Sequence, residues 1–380
     1  MQNNEDDLVS LDNLCTRFSQ SIIHRDFDQS REIIEMTKNN YPRDIQVHIH
    51  QKMILLYYLN KSRSIMLFDN LYLYRGFQGS SHQGFFYSDP LNYTSKKRLN
   101  INLPPPWKCL NPSIINLGNK YLINIRVVNY THYRGSYTSP TGIIITRNFL
   151  AELNNDFEIL KLNEMIIPNF PRQCTIKGLE DCRIVKWREN IWFTCTTFEN
   201  HSLTSAQVSI GSIIGHHLSS LHHFNPFNKQ CEKNWLPFVK DDKLEIIYSS
   251  EPFVVLEYDK ELRIKSSNNS LIRTPFRGSA SPIEFMNGYL YVVHDAYNIN
   301  DFDGERSYVH RFVWFNDYKI QKISHQFFFE DKQIEYCSGM CLNNDYIILT
   351  VGIRDEEAWI YEIKVVEVWL MLKDLSSFIP

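Results

Sequence analysis

The sequence predicts a mainly β protein, and three observations support that prediction. Phe, Tyr and Trp make up 14% of the chain, and aromatic residues favour strands. After Ser64, apolar and polar residues alternate with the period of two that strands require. A unit of polar segment, short strand, tight turn and longer apolar strand occurs repeatedly at roughly 45 to 70 residues, which is typical of a β-propeller.

The N-terminal residues have a different pattern, because their apolar side chains recur at helical spacing. Leu11, Leu14 and Phe18 are examples of this spacing. We therefore predict a small helical cap over residues 1–63. The propeller is predicted over residues 64–380, with clear repeats from about residue 105, just where a proline run marks a new architecture.

The chain between the cap and the first repeat alternates between strand and loop patterns. Ile65–Phe68 and Leu71–Tyr74 have the composition of strands and are separated by a turn. Residues 76–97 are rich in Gly, Ser, His and Asn, which predicts a loop.

Five repeats follow, and each begins with a polar segment. The segments begin at Asn111, Glu180, Asn234, Ser279 and Ser338. In a propeller, equivalent positions all face the central channel, so these five segments would meet at one pocket. A β-sandwich with long loops is the alternative. The propeller is favoured because the polar segment keeps its place relative to the hairpin in every repeat, and the sequence therefore predicts five blades.

The polar segments also supply the candidate site residues. Several cations around one or two carboxylates suit a substrate that carries phosphate, with a carboxyl group to move a proton. Arginine offers a planar fork to phosphate oxygens, and lysine and histidine add charge. Any one of these residues alone is more often part of a structural ion pair. The candidates are Asn111, Arg126, Glu180, Asp181, Arg183, Lys233, Asn234, Arg277, Ser279, His294, Glu335, Arg354 and Asp355.

Aromatic residues could add surfaces on which a sugar ring stacks, although tryptophan in a strand usually packs in the core. The candidates for such surfaces are Trp192, Trp235, Tyr291 and Tyr297. Arg306, Arg311 and Lys319 are spread over strands, which predicts a solvated face.

Composition and charge exclude several classes of function. A net charge of −3 gives no support to a broad nucleic-acid footprint. No apolar run is long enough to span a membrane, and the acidic, polar N-terminus predicts no signal peptide, so a cytoplasmic location is expected. The histidine pairs at 216–217 and 222–223 lack further ligands at metal-binding spacing, which predicts a solvated loop. Neither a metal nor a cofactor is therefore predicted.

Several segments of the repeats resemble a known family. These are EKNWLPF, FRGSASPIEF, GYLYVVHD, HRFVWF, FFFEDKQIEYCSGM and TVGIRDEEAWI, within residues 111–360. They resemble the five-bladed-propeller glycoside phosphorylases that act on β-mannosides. They are closer still to uncharacterised propeller modules described as glycosyltransferase-like. The same clan includes β-1,2-mannosyltransferases that use GDP-mannose or mannose 1-phosphate.

The resemblance implies an inverting reaction with a single catalytic aspartate. That aspartate protonates the glycosidic oxygen, commonly through a neighbouring sugar hydroxyl, while inorganic phosphate is the nucleophile. By resemblance Asp181 is this acid, and Glu180 and Arg183 are its neighbours. Cys182 stands where those phosphorylases usually carry proline, which alters the turn at the acid. Positions that bind phosphate or the adjacent sugar match Lys233, Arg277 and His294, and more weakly Arg126.

These inferences predict a carbohydrate-active enzyme that transfers mannosyl or similar hexosyl units. The transfer would run between a sugar phosphate or nucleotide sugar and a glycan acceptor, with phosphate, mannose 1-phosphate or GDP-mannose as substrate. The N-terminal helices could also hold a protein partner. Two alternatives stay open. One is an inverting hydrolase, whose second carboxylate could be Glu335, Asp355 or Asp295. The other is a non-catalytic propeller that binds glycans or proteins.

Overall fold

The computed structural model describes most of the chain from residue 88 onward. The described residues are 17, 32–33, 88–133, 136–167, 176–198, 206–227, 229, 231–269, 276–298, 306–331 and 333–375. The chain divides into two compact units, Met1–Tyr87 with Phe378–Pro380, and Ser88–Ser377. The predicted cap over 1–63 and the predicted strands between 65 and 74 fall outside the described residues, apart from 17, 32 and 33. The domain boundary at residue 63 stays a prediction.

The described part of the second unit is built from strands that follow one another along the chain. Two short strands come first, β1 (Asp89–Pro90) and β2 (Ser95–Leu99). The first repeat contains β3 (Lys108–Asn116), β4 (Tyr121–Val128), β5 (Thr131–Tyr133), β6 (Ser136–Thr138), β7 (Ile144–Leu153), β8 (Ile159–Glu164) and β9 (Ile176–Lys177). The second contains β10 (Glu180–Trp187), β11 (Asn190–Thr197), β12 (Gln207–Ile214) and β13 (His217–Phe224).

The remaining repeats continue in the same way. The third contains β14 (Leu236–Lys240), β15 (Lys243–Ser250), β16 (Phe253–Asp259) and β17 (Glu261–Asn268). The fourth contains β18 (Arg277–Gly278), β19 (Ile283–Phe285), β20 (Gly288–Asn298), β21 (Arg306–Asn316), β22 (Lys319–Ile323) and β23 (Phe327–Phe328). The fifth contains β24 (Glu335–Asn343), β25 (Tyr346–Ile353), β26 (Glu357–Lys364), α1 (Val365–Met371) and β27 (Lys373–Asp374).

Each repeat forms its own antiparallel sheet, and these sheets are the blades of a propeller. The strand orders are β3-β4-β7-β8, β10-β11-β12-β13, β14-β15-β16-β17, β18-β20-β21 with β19 and β22 alongside, and β24-β25-β26-β2. We number these sheets blades 1 to 5. The prediction of a mainly β propeller is confirmed, and the described residues form five blades. The ribbon of β5 and β6 is a separate two-stranded sheet.

The tight turns inside the blades explain why the repeats were visible in the sequence. Asp241 and Asp242 both have positive φ, as do Met286 and Asn287 in the equivalent turn of blade 4. Two successive residues with positive φ form the hairpin turn whose twist matches that of the flanking strands. Asn and Asp tolerate this conformation well, so the polar pairs between apolar runs mark real hairpins.

The ring is closed by β2, which the sequence did not predict. Residues Ser95–Leu99 pair antiparallel with β26 and complete blade 5 from the N-terminal side. The prediction of a loop over 76–97 is therefore wrong for β1 and for the first part of β2. The sequence of β2, SKKRL, is almost entirely polar, because it is an edge strand and only Leu99 is buried. Such a strand lacks the alternation on which the sequence reading depended.

Small polar side chains near the channel join each blade to the next. The Oγ of Ser338 donates to the carbonyl of Pro112 at 2.8 Å, between blades 5 and 1. The amide of Ile184 donates to the Oγ of Ser113 at 2.9 Å, between blades 2 and 1. Hydroxyl groups donate equivalent bonds across the other three junctions. Thr194 donates to the Trp235 carbonyl between blades 2 and 3, Tyr291 to the Ser250 hydroxyl between blades 4 and 3, and Ser279 to the Cys337 carbonyl between blades 4 and 5. Buried polar groups need such partners, so these bonds fix the blades around the axis.

The hydrophobic core lies between adjacent blades. One cluster joins blades 5 and 1 through Ile114, Ile123 and Ile348, and another joins blades 2 and 3 through Ile210 and Ile246. Helix α1 was not predicted, because VVEVWLM is rich in β-branched residues that favour strands. The helix forms because tertiary packing outweighs local preference: Val368 is buried, and the Trp369 ring lies 6.0 Å from both Phe285 and Trp314. No helix in the described part of the chain is long and apolar enough to cross a membrane.

A glycine at the junction of blades 5 and 1 sets the position of a site residue. A Cβ on Gly352 would lie 2.1 Å from the Oδ1 of Asn111 and 2.7 Å from its backbone nitrogen. We predict that Gly352→Ala lowers the free energy of unfolding by about 2–3 kcal/mol, because the added methyl group displaces Asn111. Urea unfolding measures this change.

The matched control is Gly142→Ala. Gly142 has φ +71° and no atom within 4 Å of an added Cβ, so only backbone strain applies. The expected loss there is about 1 kcal/mol. Equal losses in the two variants would contradict the tight approach of Gly352 to Asn111.

Candidate functional site

A cavity of about 430 Å³ opens at the mouth of the propeller. It lies where the innermost strands begin and their hairpin partners end, so all five blades contribute to it. Its walls are formed by Asn111, Arg126, Tyr130, Tyr137, Ile144, Ile176, Glu180, Asp181, Phe198, Lys233, Asn234, Arg277, His294, Arg306, Tyr308, Tyr336 and Asp355. The convergence of these distant segments is what the repeat pattern predicted.

Four of the lining residues have left-handed backbone, and three of them share one position within their blades. Asn111, Asp181 and Asn234 occupy equivalent positions in blades 1, 2 and 3, and their φ angles are 44°, 51° and 65°. Left-handed backbone is uncommon outside glycine, and Asn and Asp tolerate it best. The ladders of β3 and β10 shift register at the first two of these residues. Such bulges re-aim a side chain, which here points into the cavity.

Asp181 is held in the cavity by two donors. The Nδ2 of Asn111 lies 2.9 Å from its Oδ1, and the Nη1 of Arg126 lies 2.8 Å from the same oxygen. Arg126 also donates from Nη2 to the Oε1 of Glu180 at 2.9 Å. Burial alone would raise the pKa of Asp181, but Arg126, Arg183 and the Asn111 hydrogen bond outweigh it and hold that pKa at about 2. The carboxylate is therefore ionised at neutral pH.

Cys182 does not turn Asp181 away from the cavity. The Cys182 side chain is 1% exposed and packs in the core between blades 1 and 2, with Ile184 and Phe193. Asp181, one residue earlier, lies on the cavity wall. The chemical role of Asp181 stays a prediction.

Arg183 lies beneath the cavity rather than on its wall. Its side chain is 1% exposed, and its guanidinium donates to groups from four blades. Nε donates to the carbonyl of Ser279 at 2.8 Å, Nη1 to the carbonyl of Asp181 at 3.1 Å, and Nη2 to the Oδ1 of Asn234 at 3.1 Å. Nη2 also contacts the hydroxyl of Tyr336, which itself donates to Asn234 at 2.9 Å.

One wall of the cavity is rich in cations. Lys233, Arg277 and Arg306 come from the segments before β14, in β18 and in β21. Within the described part of the chain, Arg277 and Arg306 form no ion pair with a carboxylate, and Lys233 lies 3.6 Å from Glu180. Positive charge without a carboxylate partner, at the mouth of a cavity, attracts anions.

His294 lies in the same wall but adds no charge. Burial lowers its pKa well below the usual range, and His310, Arg277 and Arg183 lower it further. The neutral ring packs edge-on against Tyr336 at 5.0 Å, and its Nδ1 has no hydrogen-bond partner among the described residues. His294 can therefore offer a hydrogen bond to a ligand, but not the positive charge that the sequence reading assigned to it.

Asp355 brings a third carboxylate to the cavity. It lies with Arg354 in the turn between β25 and β26, where both residues have positive φ. Burial and the carboxylates of Asp181 and Glu180 together raise the pKa of Asp355 to about 6, against the opposing effect of Arg126. The cavity thus holds one carboxylate that stays ionised and another that gains a proton near pH 6.

Three other predicted site residues lie outside the cavity wall. Ser279 joins blades 4 and 5 through the Cys337 carbonyl and is fully buried. Glu335 accepts three backbone hydrogen bonds from residues 329–331, so its carboxylate fixes the connection into blade 5. Arg354 points to solvent and pairs with Asp331 at 2.9 Å, both side chains being 56% exposed. These polar residues stabilise the scaffold. A sequence pattern does not distinguish such residues from polar residues that form a site.

The lining residues that sequence reasoning missed are mostly aromatic. They are Tyr130, Tyr137, Phe198, Tyr308 and Tyr336, together with Arg306 and two isoleucines. The prediction of a solvated face holds for Arg306 and Lys319, which are exposed, although Arg306 also lines the cavity. It is wrong for Arg311, which is 0% exposed. Tyr336 lies two residues before the start of the fifth polar segment at Ser338, and this proximity was the one available signal.

The predicted stacking residues are mostly blade core. Trp235 and Tyr291 are buried, and Trp192 packs 5.1 Å from Trp187; the side chain of Tyr297 lies outside the described residues. The histidines at 216–217 and 222–223 belong largely to strand β13 rather than to a loop. Among the described residues, no group of His, Cys, Asp or Glu side chains could hold a metal ion.

Solved structures with the same arrangement exist. The β-1,2-mannobiose phosphorylase of Listeria innocua, in complex with β-1,2-mannobiose, matches 72% of this chain and 94% of its own, at 11% identity and a TM-score of 0.52. MPT-4, a mannose phosphorylase from Leishmania mexicana in complex with phosphate, matches 73% of this chain and 90% of its own, at 16% identity and a TM-score of 0.51. The chain has the fold of the β-mannoside phosphorylases.

This fold also includes hydrolases. A structure from the GH130 family, which contains glycoside hydrolases that target β-1,2-mannosidic linkages in Candida mannan, matches 67% of this chain and 84% of its own. Its identity is 14% and its TM-score is 0.50. No family model and no curated protein sequence matches the chain. The resemblance found in the repeat segments is thus confirmed at the level of the fold.

We predict that Arg183→Met lowers the free energy of unfolding by about 3–5 kcal/mol, because acceptors from four blades lose their donor. Urea unfolding measures the change. Arg354→Met is the matched control, and it should change stability by at most about 1 kcal/mol, since its ion pair is exposed. Similar losses in both variants would contradict the central role of Arg183.

We predict that Asp355→Asn stabilises the protein above pH 6 and not at pH 4. Because the pKa of Asp355 is raised on folding, its contribution to stability is complete below its unfolded value and is lost as the pH rises through about 6. The asparagine avoids that loss, so its Tm should exceed that of the wild type by roughly 2 °C or more at pH 8.

Thermal unfolding between pH 4 and pH 8 tests this prediction. Asp331→Asn is the control, because Asp331 is exposed and should show no such trend. A Tm difference between Asp355→Asn and the wild type that does not grow with pH would contradict the assignment.

Proposed function

We propose that the protein transfers mannosyl units between mannose 1-phosphate and a glycan acceptor, with inversion at the anomeric carbon. The single observation that carries this proposal is the division of the cavity. An ionised aspartate of blade 2 is held by Asn111 and Arg126, whereas Arg277 and Arg306 of blade 4 form no ion pair with a carboxylate in the described part of the chain. A phosphate-bearing sugar needs both features, and the fold of the β-mannoside phosphorylases supports mannose as the sugar.

Arg277, His294 and Lys233 are the residues proposed to hold the phosphate. Arg277 offers a planar guanidinium with no carboxylate partner among the described residues, and arginine suits phosphate oxygens because it can donate two parallel hydrogen bonds. Neutral His294 adds a directed hydrogen bond, and Lys233 adds charge. Arg126 is a poorer candidate, because its Nη groups are already bound to Glu180 and Asp181.

Asp181 is proposed to act as general base in the direction of synthesis. Its carboxylate is ionised at neutral pH, so it can take the proton of the acceptor hydroxyl. The acceptor oxygen then attacks the anomeric carbon, the bond from that carbon to the phosphate oxygen breaks, and phosphate leaves. The reverse reaction, phosphorolysis, requires Asp181 to be protonated first. Phosphate bound on the cationic wall favours this, because a nearby negative charge raises the pKa of a carboxyl group.

Hydrolysis is the second candidate, and Asp355 is the observation in its favour. An inverting hydrolase needs a second carboxylate that activates water. Of the three residues predicted for that role, Asp355 lines the cavity, whereas Glu335 is occupied by backbone amides and Asp295 is not part of the described lining. Dependence on phosphate separates the two reactions: cleavage of β-1,2-mannobiose without phosphate, giving free mannose only, would favour hydrolysis.

Donors other than mannose 1-phosphate and the cellular setting remain proposals. We propose GDP-mannose as a further donor, a cytoplasmic location, and a protein partner that binds the predicted N-terminal cap. A non-catalytic glycan-binding role is the opposing proposal. It predicts binding without turnover.

We predict that Asp181→Asn lowers kcat for phosphate release from mannose 1-phosphate by about 10²–10⁴-fold, because the amide cannot accept the proton. The assay incubates the protein with mannose 1-phosphate and mannose and measures phosphate and elongated product. Asp242→Asn is the control, because Asp242 lies in an exposed turn outside the cavity lining, and its activity should match the wild type. Equal activity of Asp181→Asn and the wild type would contradict the role of Asp181.

A further inference from the structure

The connections between the second and third strands differ in length among blades 1, 3 and 5, and those of blades 1 and 5 contribute Tyr137 and Asp355 to the cavity. Residues 251–252 suffice in blade 3, and residues 354–356 suffice in blade 5. Blade 1 uses residues 129–143 for the same connection, and it contains the ribbon of β5 and β6. The extra length adds nothing to the blade sheet, because β5 and β6 pair only with each other. The ribbon instead adds side chains to the cavity.

The base of this ribbon is fixed by one side chain. The Nδ2 of Asn129 donates to the carbonyl of Ile143 at 3.0 Å, and its Oδ1 accepts from the amide of Ile145 at 2.8 Å. The asparagine thus joins the segment where the ribbon leaves the blade to the segment where it returns. A connection held in this way presents its side chains in one place, which a ligand subsite requires.

Tyr137 is the ribbon residue that lines the cavity. Its side chain is 45% exposed, although the ring is supported by two neighbours. Tyr130 packs edge-on against it with 5.0 Å between centroids, and His132 lies 4.8 Å away. A large aromatic ring that is held in place yet open to solvent, at a polar cavity, is a surface for a flat partner.

The groups near Tyr137 favour an uncharged, hydroxyl-rich partner. Asp355, Arg306 and Tyr308 line the same cavity as Tyr137. Burial raises the pKa of the Tyr137 phenol, Asp355 raises it further, and Arg306 opposes the rise. Asp355 and Arg306 can accept and donate hydrogen bonds to hydroxyl groups. The Asp355 carboxylate disfavours a diphosphate at this position, because like charges repel. A pyranose ring, with an apolar face and a rim of hydroxyls, suits this combination.

We propose that the β5–β6 ribbon forms the acceptor subsite and that Tyr137 is the platform for the pyranose ring of an uncharged hexose acceptor. This inference rests on the proposed mannosyl transfer, in which the cationic wall holds the phosphate of the donor. Tyr137 comes from blade 1, whereas Arg277 and His294, which are proposed to hold the phosphate, come from blade 4. Tyr137 therefore determines how tightly the acceptor binds, and it leaves the binding of the sugar phosphate to Arg277 and His294.

The test compares Tyr137→Ala and Tyr137→Phe in the transfer assay with mannose 1-phosphate as donor and mannose as acceptor. For Tyr137→Ala we expect KM for mannose to rise about fivefold or more, and KM for mannose 1-phosphate to stay within about twofold. Tyr137→Phe keeps the ring and should match the wild type in both constants. Unchanged KM for mannose in Tyr137→Ala, or an equal rise for mannose 1-phosphate or GDP-mannose, would overturn the inference while the proposed reaction stands.

Calorimetric titration with β-1,2-mannobiose decides the case in which the wild type shows no turnover. Binding by the wild type and Tyr137→Phe that is lost in Tyr137→Ala would support the subsite, although the proposed reaction would then have failed. A wild type that does not bind the disaccharide, or a Tyr137→Ala variant that binds it equally well, would overturn the subsite. Circular dichroism and Tm of each variant confirm that the blades are intact.

Discussion

The buried guanidinium of Arg183 is the interaction on which the site depends. It donates to groups from blades 2, 3, 4 and 5, close to the propeller axis. A guanidinium cannot lose its charge in a protein, so it is tolerated at this depth only because every side of its fork meets an acceptor and Asp181 lies nearby. The same contacts fix the backbone carbonyl of Asp181 and the side-chain amide oxygen of Asn234. The geometry of the cavity floor is therefore tied to the closure of the ring.

Charge is distributed unevenly above that floor. Arg126 is occupied by Glu180 and Asp181, so the acidic side of the cavity is internally compensated. Arg277 and Arg306 have no such carboxylate in the described part of the chain, and the opposite wall keeps a surplus of positive charge. A ligand with one anionic end and one neutral, hydroxylated end matches this division. The ionised state of Asp181 follows from the same arrangement, because the cations outweigh the cost of its burial.

The propeller could be predicted from the sequence because each blade contains a hairpin with a strict period of two and a polar turn. The convergence of Asn111, Asp181 and Asn234 followed from their equivalent positions. The repeated polar segment has a second cause, however, because Ser113, Ser279 and Ser338 bond neighbouring blades. Sequence reasoning could not separate these scaffold residues from the site, since both need polar side chains near the axis. Glu335 was predicted as a site residue for the same reason, but its carboxylate accepts hydrogen bonds from backbone amides.

Other features depend on contacts that no local pattern records. The polar strand β2 exists because the open edge of β26 accepts it, and α1 exists because Val368 is buried and the partly buried Trp369 packs against Trp314. Tyr137 reaches the cavity only because the ribbon stands at the mouth, and its sequence neighbours give no sign of that. Long-range strand pairing and side-chain packing determine the positions of β2, α1 and Tyr137.

A crystal structure of the protein with bound phosphate tests the central claim most directly. The account predicts a phosphate ion inside the cavity, with oxygens within hydrogen-bond distance of the Arg277 guanidinium and the His294 ring, and Asp181 still bound to Asn111 and Arg126. A cavity that contains only water, with phosphate bound elsewhere on the surface, would contradict the division of the site into an anionic and a cationic side.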